Sequence, residues 1–139
     1  MGDLKKMEER QTPKGKRVLW LDAEPMGCDG TRALLARSGF EVDVVANRRE
    51  AEDFSKGREY GFLIVEPHPD YRRKSDQKAV ALRSFMADMS SRAEVIVASS
   101  QNKEWLADAD IREGEHFGCF FEKPYCRELA EYIESRVGS

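Results

Sequence analysis

The chain has 139 residues, of which 40% are hydrophobic and 35% charged, and its formal net charge is −3. This length suits one domain with one core, and the balanced charge does not favour binding to nucleic acid or to a membrane surface. The sequence contains no apolar run long enough to cross a bilayer and no signal-peptide pattern, and its three cysteines lack the spacing of a disulfide framework. We therefore expect a cytoplasmic protein with a single domain.

The chain begins with a polar segment of mixed charge, residues 1–16, which Pro13-Lys14-Gly15 closes. The segment has almost no apolar periodicity, so we expect a flexible leader. A short helix over Leu4–Arg10 that docks on a partner is the alternative. The remaining residues, 17–139, are expected to form the domain.

Five short apolar runs have the length of β-strands. They are Arg17–Asp22, Glu41–Ala46, Gly61–Glu66, Glu94–Ala98 and Phe117–Glu122. In the third run, Phe62–Val65 is apolar without interruption, which is typical of a central strand of a parallel sheet that is buried on both faces.

A helical pattern follows each strand. The first helix starts near Pro25 and stops at Gly39, and Asn47 with Glu50 resembles a capping box that opens the second. Apolar stripes mark the other three: Leu82, Phe85, Met86 and Met89; Trp105, Leu106 and Ala109 within Lys103–Ile111; and Leu129, Tyr132, Ile133 and Val137. This alternation predicts an α/β fold, a single doubly wound five-stranded parallel sheet with helices on both faces.

Four polar residues fall at the ends of predicted strands, where the ligands of open α/β sheets collect. They are Asp22, Glu66, Ser99 and Lys123. A flavin or nucleotide site would need a loop rich in Gly, Ser or Thr after the first strand, so that backbone N–H groups can hold phosphate. The loop Asp22–Pro25 is acidic instead, and it attracts cations.

The order and spacing of these residues resemble the receiver domain of bacterial response regulators. The motifs that carry the resemblance include Leu21-Asp22-Ala23-Glu24-Pro25 after the first strand and Lys123-Pro124 after the fifth. The similarity covers about residues 17–137. It implies a flavodoxin-like sheet with strand order 2-1-3-4-5 and a role in two-component, or phosphorelay, signal transduction.

The resemblance also implies roles for individual positions. Glu66 occupies the position of the phosphoacceptor aspartate, and Asp22 and Glu24 belong to the acidic pocket. The positions of the phosphate pocket and of the aromatic switch are Ser99, Lys123 and Phe120.

Two departures from the receiver pattern change the expected chemistry. Ala23 replaces the second acid of the acidic pair, and Glu66 replaces the aspartate nucleophile. Mg²⁺ demands a near-ideal octahedral set of oxygen ligands, and the longer Glu side chain moves its oxygens roughly 1 Å or more from the position needed for in-line attack. We therefore expect a pseudo-receiver that is neither an enzyme nor dependent on a cofactor. Glu66 would reach towards Lys123 and Ser99 and hold one fixed, active-like state.

The alternative is a phosphorylatable receiver with weak Mg²⁺ binding through Asp22 and Glu66 and slow phosphotransfer. A further option is a domain excised from a larger kinase or transcription regulator. A divalent-dependent thermal or fluorescence shift distinguishes this alternative from the pseudo-receiver.

The expected partner is another protein, or a second copy of the chain, and not nucleic acid or a membrane. In receivers the usual interface consists of the fourth helix, the fifth strand and the fifth helix. Here this face would present Phe120 and the further interface residues Trp105, Tyr125, Arg127 and Tyr132. A zinc site from His68, His116, Cys119 and Cys126 is disfavoured, because the spacing lacks a paired Cys-x2-Cys.

Overall fold

The part of the chain that the computed structural model describes contains five parallel strands and five α-helices. It comprises residues 13–23, 29–67, 75–99, 103–122 and 126–137, without the side chains of Lys103, Trp105 and Cys126. The strands are β1 (Arg17–Leu21), β2 (Glu41–Val45), β3 (Phe62–Val65), β4 (Glu94–Ser99) and β5 (Cys119–Glu122). The helices are α1 (Asp29–Arg37), α2 (Arg48–Gly57), α3 (Gln77–Ser90), α4 (Lys103–Asp108) and α5 (Cys126–Val137). A 3-10 turn, Lys14–Lys16, precedes β1.

The strands form one sheet in the order β2-β1-β3-β4-β5, and every neighbouring pair is parallel. The predicted fold class and the strand order 2-1-3-4-5 are confirmed. Leu21 of β1 pairs with Val65 of β3, and Val65 pairs with Val97 of β4. The carboxyl ends of these three strands therefore lie side by side. No described helix has the length and apolar character that are needed to span a membrane.

Alternate strand residues point to opposite faces, and each face carries its own apolar core. One core places Leu19, Leu63 and Val95 against residues of α2, α3 and α4, among them Leu82, Met86 and Leu106. The other places Trp20, Ile64 and Ile96 against Leu35 of α1 and against Leu129 and Ile133 of α5. Burial on both faces is the reason that the central strands read as unbroken apolar runs.

Capping side chains start two of the helices. The Asn47 side chain accepts a hydrogen bond from the Glu50 N–H (2.9 Å), as the capping box predicts. The Glu50 carboxylate accepts from the N–H of Ala46 (3.2 Å), one residue before the cap. Asp76 caps α3 by accepting from the Lys78 N–H (2.8 Å). Each cap satisfies backbone donors that the helix itself leaves unpaired.

The helix α1 ends as the sequence predicts, whereas α4 ends earlier. Gly39 follows α1 with φ +85°, and Phe40 N–H donates to Leu35 O (3.1 Å). The same arrangement ends α4 at Asp108 rather than at Ile111, because Asp110 takes φ +59° and the Ile111 N–H donates to Leu106 O (2.9 Å). Both are Schellman ends, the second with Asp instead of Gly in the left-handed position.

The strand β5 begins at Cys119, two residues later than predicted. Phe117 is apolar and buried, but its carbonyl accepts from the Gly114 N–H (2.7 Å) in a local turn. Gly118 then donates to Val95 O (2.8 Å) and leads the chain into the sheet. Phe117 is thus part of the apolar core although it lies in the turn before β5.

Candidate functional site at the carboxyl edge of the sheet

Asp22 and Glu66 lie next to each other at the carboxyl edge of the sheet. The N–H of Asp22 donates to Val45 O (3.0 Å), and the N–H of Glu66 donates to Leu21 O (2.9 Å). Both residues therefore stand one position beyond the paired ends of β1 and β3, whose backbones are about 4.8 Å apart in any sheet. Asp22 is buried with 1% exposure, and Glu66 is half-buried. The structure thus brings together two of the carboxylates that the sequence singled out.

Ser99 and Phe120 join this edge from the neighbouring strands. Ser99 is the last residue of β4, is fully buried, and pairs in register with Glu122 of β5. The half-buried ring of Phe120 packs against the core that faces α3 and α4. The Ser99 hydroxyl therefore lies at the same edge as the two carboxylates, whereas Phe120 pairs with Val97 inside the sheet, before that edge.

Several predicted site residues fall outside the described part of the chain. These are Glu24, Lys123 and Tyr125, together with the side chain of Trp105 and the zinc candidates His68 and Cys126. The pairing of Glu66 with Lys123 stays a prediction.

In the described part of the chain, the carboxyl edge at β1 and β3 holds two carboxylates, Asp22 and Glu66, and no acid at the position of the second member of the acidic pair. Ala23 follows Asp22 directly, is exposed, and carries no ligand atom. Among the described residues, no group of three or more His, Cys, Asp or Glu side chains is arranged to hold a metal ion. Mg²⁺ usually takes carboxylate oxygens at near-ideal octahedral positions, and here the position of the second acid is apolar. The described residues of this edge therefore do not complete a ligand set for Mg²⁺.

On the predicted interface, Tyr132 packs within its own chain and Arg127 is exposed. The Tyr132 ring makes an edge contact with Phe121 at a centroid distance of 5.4 Å. Burial, followed by a hydrogen bond to Glu94, raises the pKa of Tyr132 above its ordinary value. Arg136 also binds Glu94, with 2.8 Å between Nε and Oε1. Arg127 is therefore the predicted interface residue whose described side chain faces solvent.

His116 is tied into the turn that precedes β5. Its Nδ1 accepts a hydrogen bond from the Arg112 backbone N–H (2.9 Å), so the neutral ring carries its proton on Nε2. The side chain is buried, and this burial lowers the pKa of His116 below its ordinary value, with Arg83 and Arg112 adding to the effect against Glu115 and Asp110. The ring therefore serves as a neutral structural acceptor.

A polar cluster at the edge strand β2 was not anticipated from the sequence. The hydroxyl of Tyr60, a residue with 2% exposure, donates to Asp43 Oδ2 (2.6 Å). Arg58 bridges the same carboxylate (3.2 Å) and Glu41 (2.8 Å). Burial and the bond to Asp43 raise the pKa of Tyr60 above its ordinary value. The available signal was Glu41 and Asp43 alternating with valines, a pattern that places both acids on one face of the strand.

No protein-family model and no curated protein sequence matches the chain. Solved structures do match its fold. A response regulator from Thermotoga maritima aligns with a TM-score of 0.68 at 18% identity over 92% of this chain and 99% of its own. An orphan response regulator of H. pylori aligns with a TM-score of 0.66 at 23% identity, over 90% and 99%.

A third similar structure is an atypical orphan response regulator, described as revealing a phosphorylation-independent regulatory mechanism. It has a TM-score of 0.64 and 22% identity, and the alignment covers 87% of this chain and 94% of the other. Taken with the strand order and the residues at the carboxyl edge, these alignments show that the chain has the fold of the response regulator receiver domains.

Proposed function

We propose that this chain is a cytoplasmic receiver-like module of a two-component system, and that it acts by protein–protein contact without being switched by phosphorylation. One observation carries the proposal. Asp22 and Glu66 lie side by side at the carboxyl edge, as the resemblance to receivers implies, while position 23, where that resemblance expects the second acid, holds the exposed Ala23.

The chemistry of phosphoryl transfer supports this proposal. A carboxylate that attacks a phosphodonor needs in-line geometry and a cation that neutralises the developing charge. The extra methylene of Glu66 displaces the nucleophile by roughly 1 Å or more, and displacements of this size cost about 10²-fold in rate. The missing acid at position 23 weakens the cation site in addition. Both defects act on the same step and reinforce each other.

Two of the similar structures make the proposal concrete. One is an orphan regulator, and another is described as working without phosphorylation, each at 22–23% identity to this chain. In such a module, Glu66 would replace the phosphoryl group by reaching for Lys123 and Ser99. The surface formed by α4, β5 and α5, including the exposed Arg127, would then bind a partner protein in one constant state.

Intact-mass measurement after incubation with acetyl phosphate and Mg²⁺ tests the proposal. The matched control is a double variant, Ala23→Asp with Glu66→Asp, which restores both receiver acids on the same fold. We expect a gain of one phosphoryl mass on the control and none on the wild type. An adduct on the wild-type chain would contradict the proposal and identify a working phosphotransfer receiver. An unmodified control would mean that the two substitutions are not what abolishes the chemistry, which would also contradict the argument.

A further inference from the structure

A cavity of about 550 Å³ opens at the amino edge of the sheet, the end opposite to Asp22 and Glu66. Its wall combines the 3-10 turn, the start of β1, the end of α2, the segment that leads into β3 and the end of α3. The charged residues in this wall are Lys14, Arg17, Lys56, Arg58, Glu59 and Arg92. Five basic residues from three segments of the chain thus line one space, against a single acid.

The basic residues of the cavity differ in how far they are neutralised. Arg58 binds Glu41 and Asp43, and Arg17 lies 3.7 Å from Glu41. Within the described ranges, none of the ion pairs involves Lys14 or Lys56, and both side chains are exposed. The uncompensated positive charge of the cavity therefore sits on these two lysines.

Arg92 is a third cation that a ligand can recruit. It pairs with Asp88 one helical turn earlier, with 2.8 Å between Nη2 and Oδ2. Both side chains of this pair are largely exposed, at 48% and 70%. Solvent-exposed pairs of this kind are worth little, so a multiply charged anion in the cavity can draw the guanidinium away from its aspartate.

The helix dipole explains only part of this arrangement. Lys56 lies in the last turn of α2 and Arg92 just after α3, where a cation complements the partial negative charge of a helix end. Lys14 begins the 3-10 turn and does not lie at the carboxyl end of an α-helix. Its backbone is held by close packing, because a Cβ on Gly61 would meet Lys14 O at 2.8 Å, and because the Gly61 N–H donates to Arg17 O (3.0 Å). The fold therefore fixes the backbone of Lys14 at the cavity independently of any helix end.

We propose that this cavity binds a small soluble anion that carries at least two phosphate groups, held by Lys14, Lys56 and Arg92. Three cations contributed by three separate segments to a space of this size match a ligand larger than a single phosphate, and the volume lies within the range of small-molecule sites. Tyr60 is the aromatic residue among the described residues of the wall, and it is only 2% exposed, so these residues offer no aromatic face on which a nucleobase could stack. Recognition thus rests on the phosphates.

Titration calorimetry of the full chain with inorganic pyrophosphate tests this site. EDTA is present, so that divalent ions neither bridge the anion to the carboxyl edge nor compete for it. A failure to detect pyrophosphate binding would leave the proposed signalling function intact. We expect one saturable site per chain, and binding at least tenfold tighter than that of sulfate at equal ionic strength.

Two double variants complete the experiment. Lys14→Gln with Lys56→Gln should lose roughly tenfold in pyrophosphate affinity, since it removes the two uncompensated charges. Arg37→Gln with Arg49→Gln, which removes two exposed charges away from the cavity, should bind as the wild type does. Absence of saturable binding to the wild type, or equal losses in the two variants, would overturn the proposal.

Discussion

The close packing of the 3-10 turn, Lys14–Lys16, against Gly61 can be tested by substituting this glycine. A Cβ added at this position would lie 2.8 Å from Lys14 O and 3.0 Å from Gly15 Cα. Both neighbours are backbone atoms, so neither can move aside by a change of rotamer. In Gly61→Ala the 3-10 turn must shift as a unit, and the hydrogen bond from Gly61 N to Arg17 O (3.0 Å) strains with it.

The cost of this shift follows from measurements on crowded sites. Overpacking of a well-packed contact typically costs about 1–3 kcal/mol, and one weakened backbone hydrogen bond lies within the same range. We therefore expect Gly61→Ala to lower the free energy of unfolding by about 1–3 kcal/mol. Gly57→Ala is the matched control, because no atom lies within 4 Å of its added Cβ. In the last turn of α2, alanine should stabilise the chain by about 0.4–1 kcal/mol.

Urea denaturation followed by circular dichroism measures both changes, provided that the slope of the transition stays constant. The two alanine variants should shift the midpoint in opposite directions. A Gly61→Ala protein as stable as the wild type would refute the packing of the turn against β3. It would also remove the argument that the fold fixes Lys14 at the cavity.

Two further predictions concern single side chains, and a third concerns a pair. In the wild-type protein, the fold holds the His116 ring neutral with a lowered pKa, so on acidification the unfolded chain binds the proton first and stability falls below about pH 6.5. His116→Asn should make this loss of stability smaller. Melting temperatures between pH 7.5 and 5 measure the difference, and parallel curves for the two proteins would contradict the prediction. Tyr60→Phe should lower the free energy of unfolding by about 1–2 kcal/mol, because the buried ring stays while Asp43 loses the hydrogen bond that the Tyr60 hydroxyl donates at 2.6 Å. Chemical denaturation measures the change, and an unchanged midpoint would mean that this hydrogen bond contributes nothing to stability. Glu66→Gln and Lys123→Met should be non-additive in a double-mutant cycle by about 0.5 kcal/mol or more if the two side chains pair, whereas additive losses would sink the pairing.

The sequence predicts the sheet well because burial on both faces leaves a direct trace in it. Phe62–Val65 and Val95–Ala98 are continuously apolar, since each residue packs into one core or the other. The polar residue that ends each run then marks the carboxyl edge. Asp22, Glu66 and Ser99 could be placed on one rim from the sequence alone, because the parallel register determines where strand ends meet.

Features that depend on backbone conformation or on distant segments were harder to predict. The end of α4 was placed too late because Asp110 adopts the left-handed conformation that glycine usually marks. The start of β5 was placed too early because the apolar Phe117 serves the core from a turn. The basic cavity has no sequence signature, since its charges are contributed by the chain between positions 14 and 92 and converge only in the folded structure.

The apolar core and the carboxyl edge of the sheet carry different constraints, so the residues of the edge can change while the fold is kept. The continuous apolar runs of β1, β3 and β4 and the helices packed against them supply the buried area that stabilises the domain. Ala23 is exposed and Glu66 half-buried, so neither takes a large share in that core. We therefore expect substitutions at these two positions to cost little in folding, whatever they do to the proposed phosphate and metal chemistry. The fold is shared with receivers at about 20% identity, but the function has to be argued from the few residues on its rim.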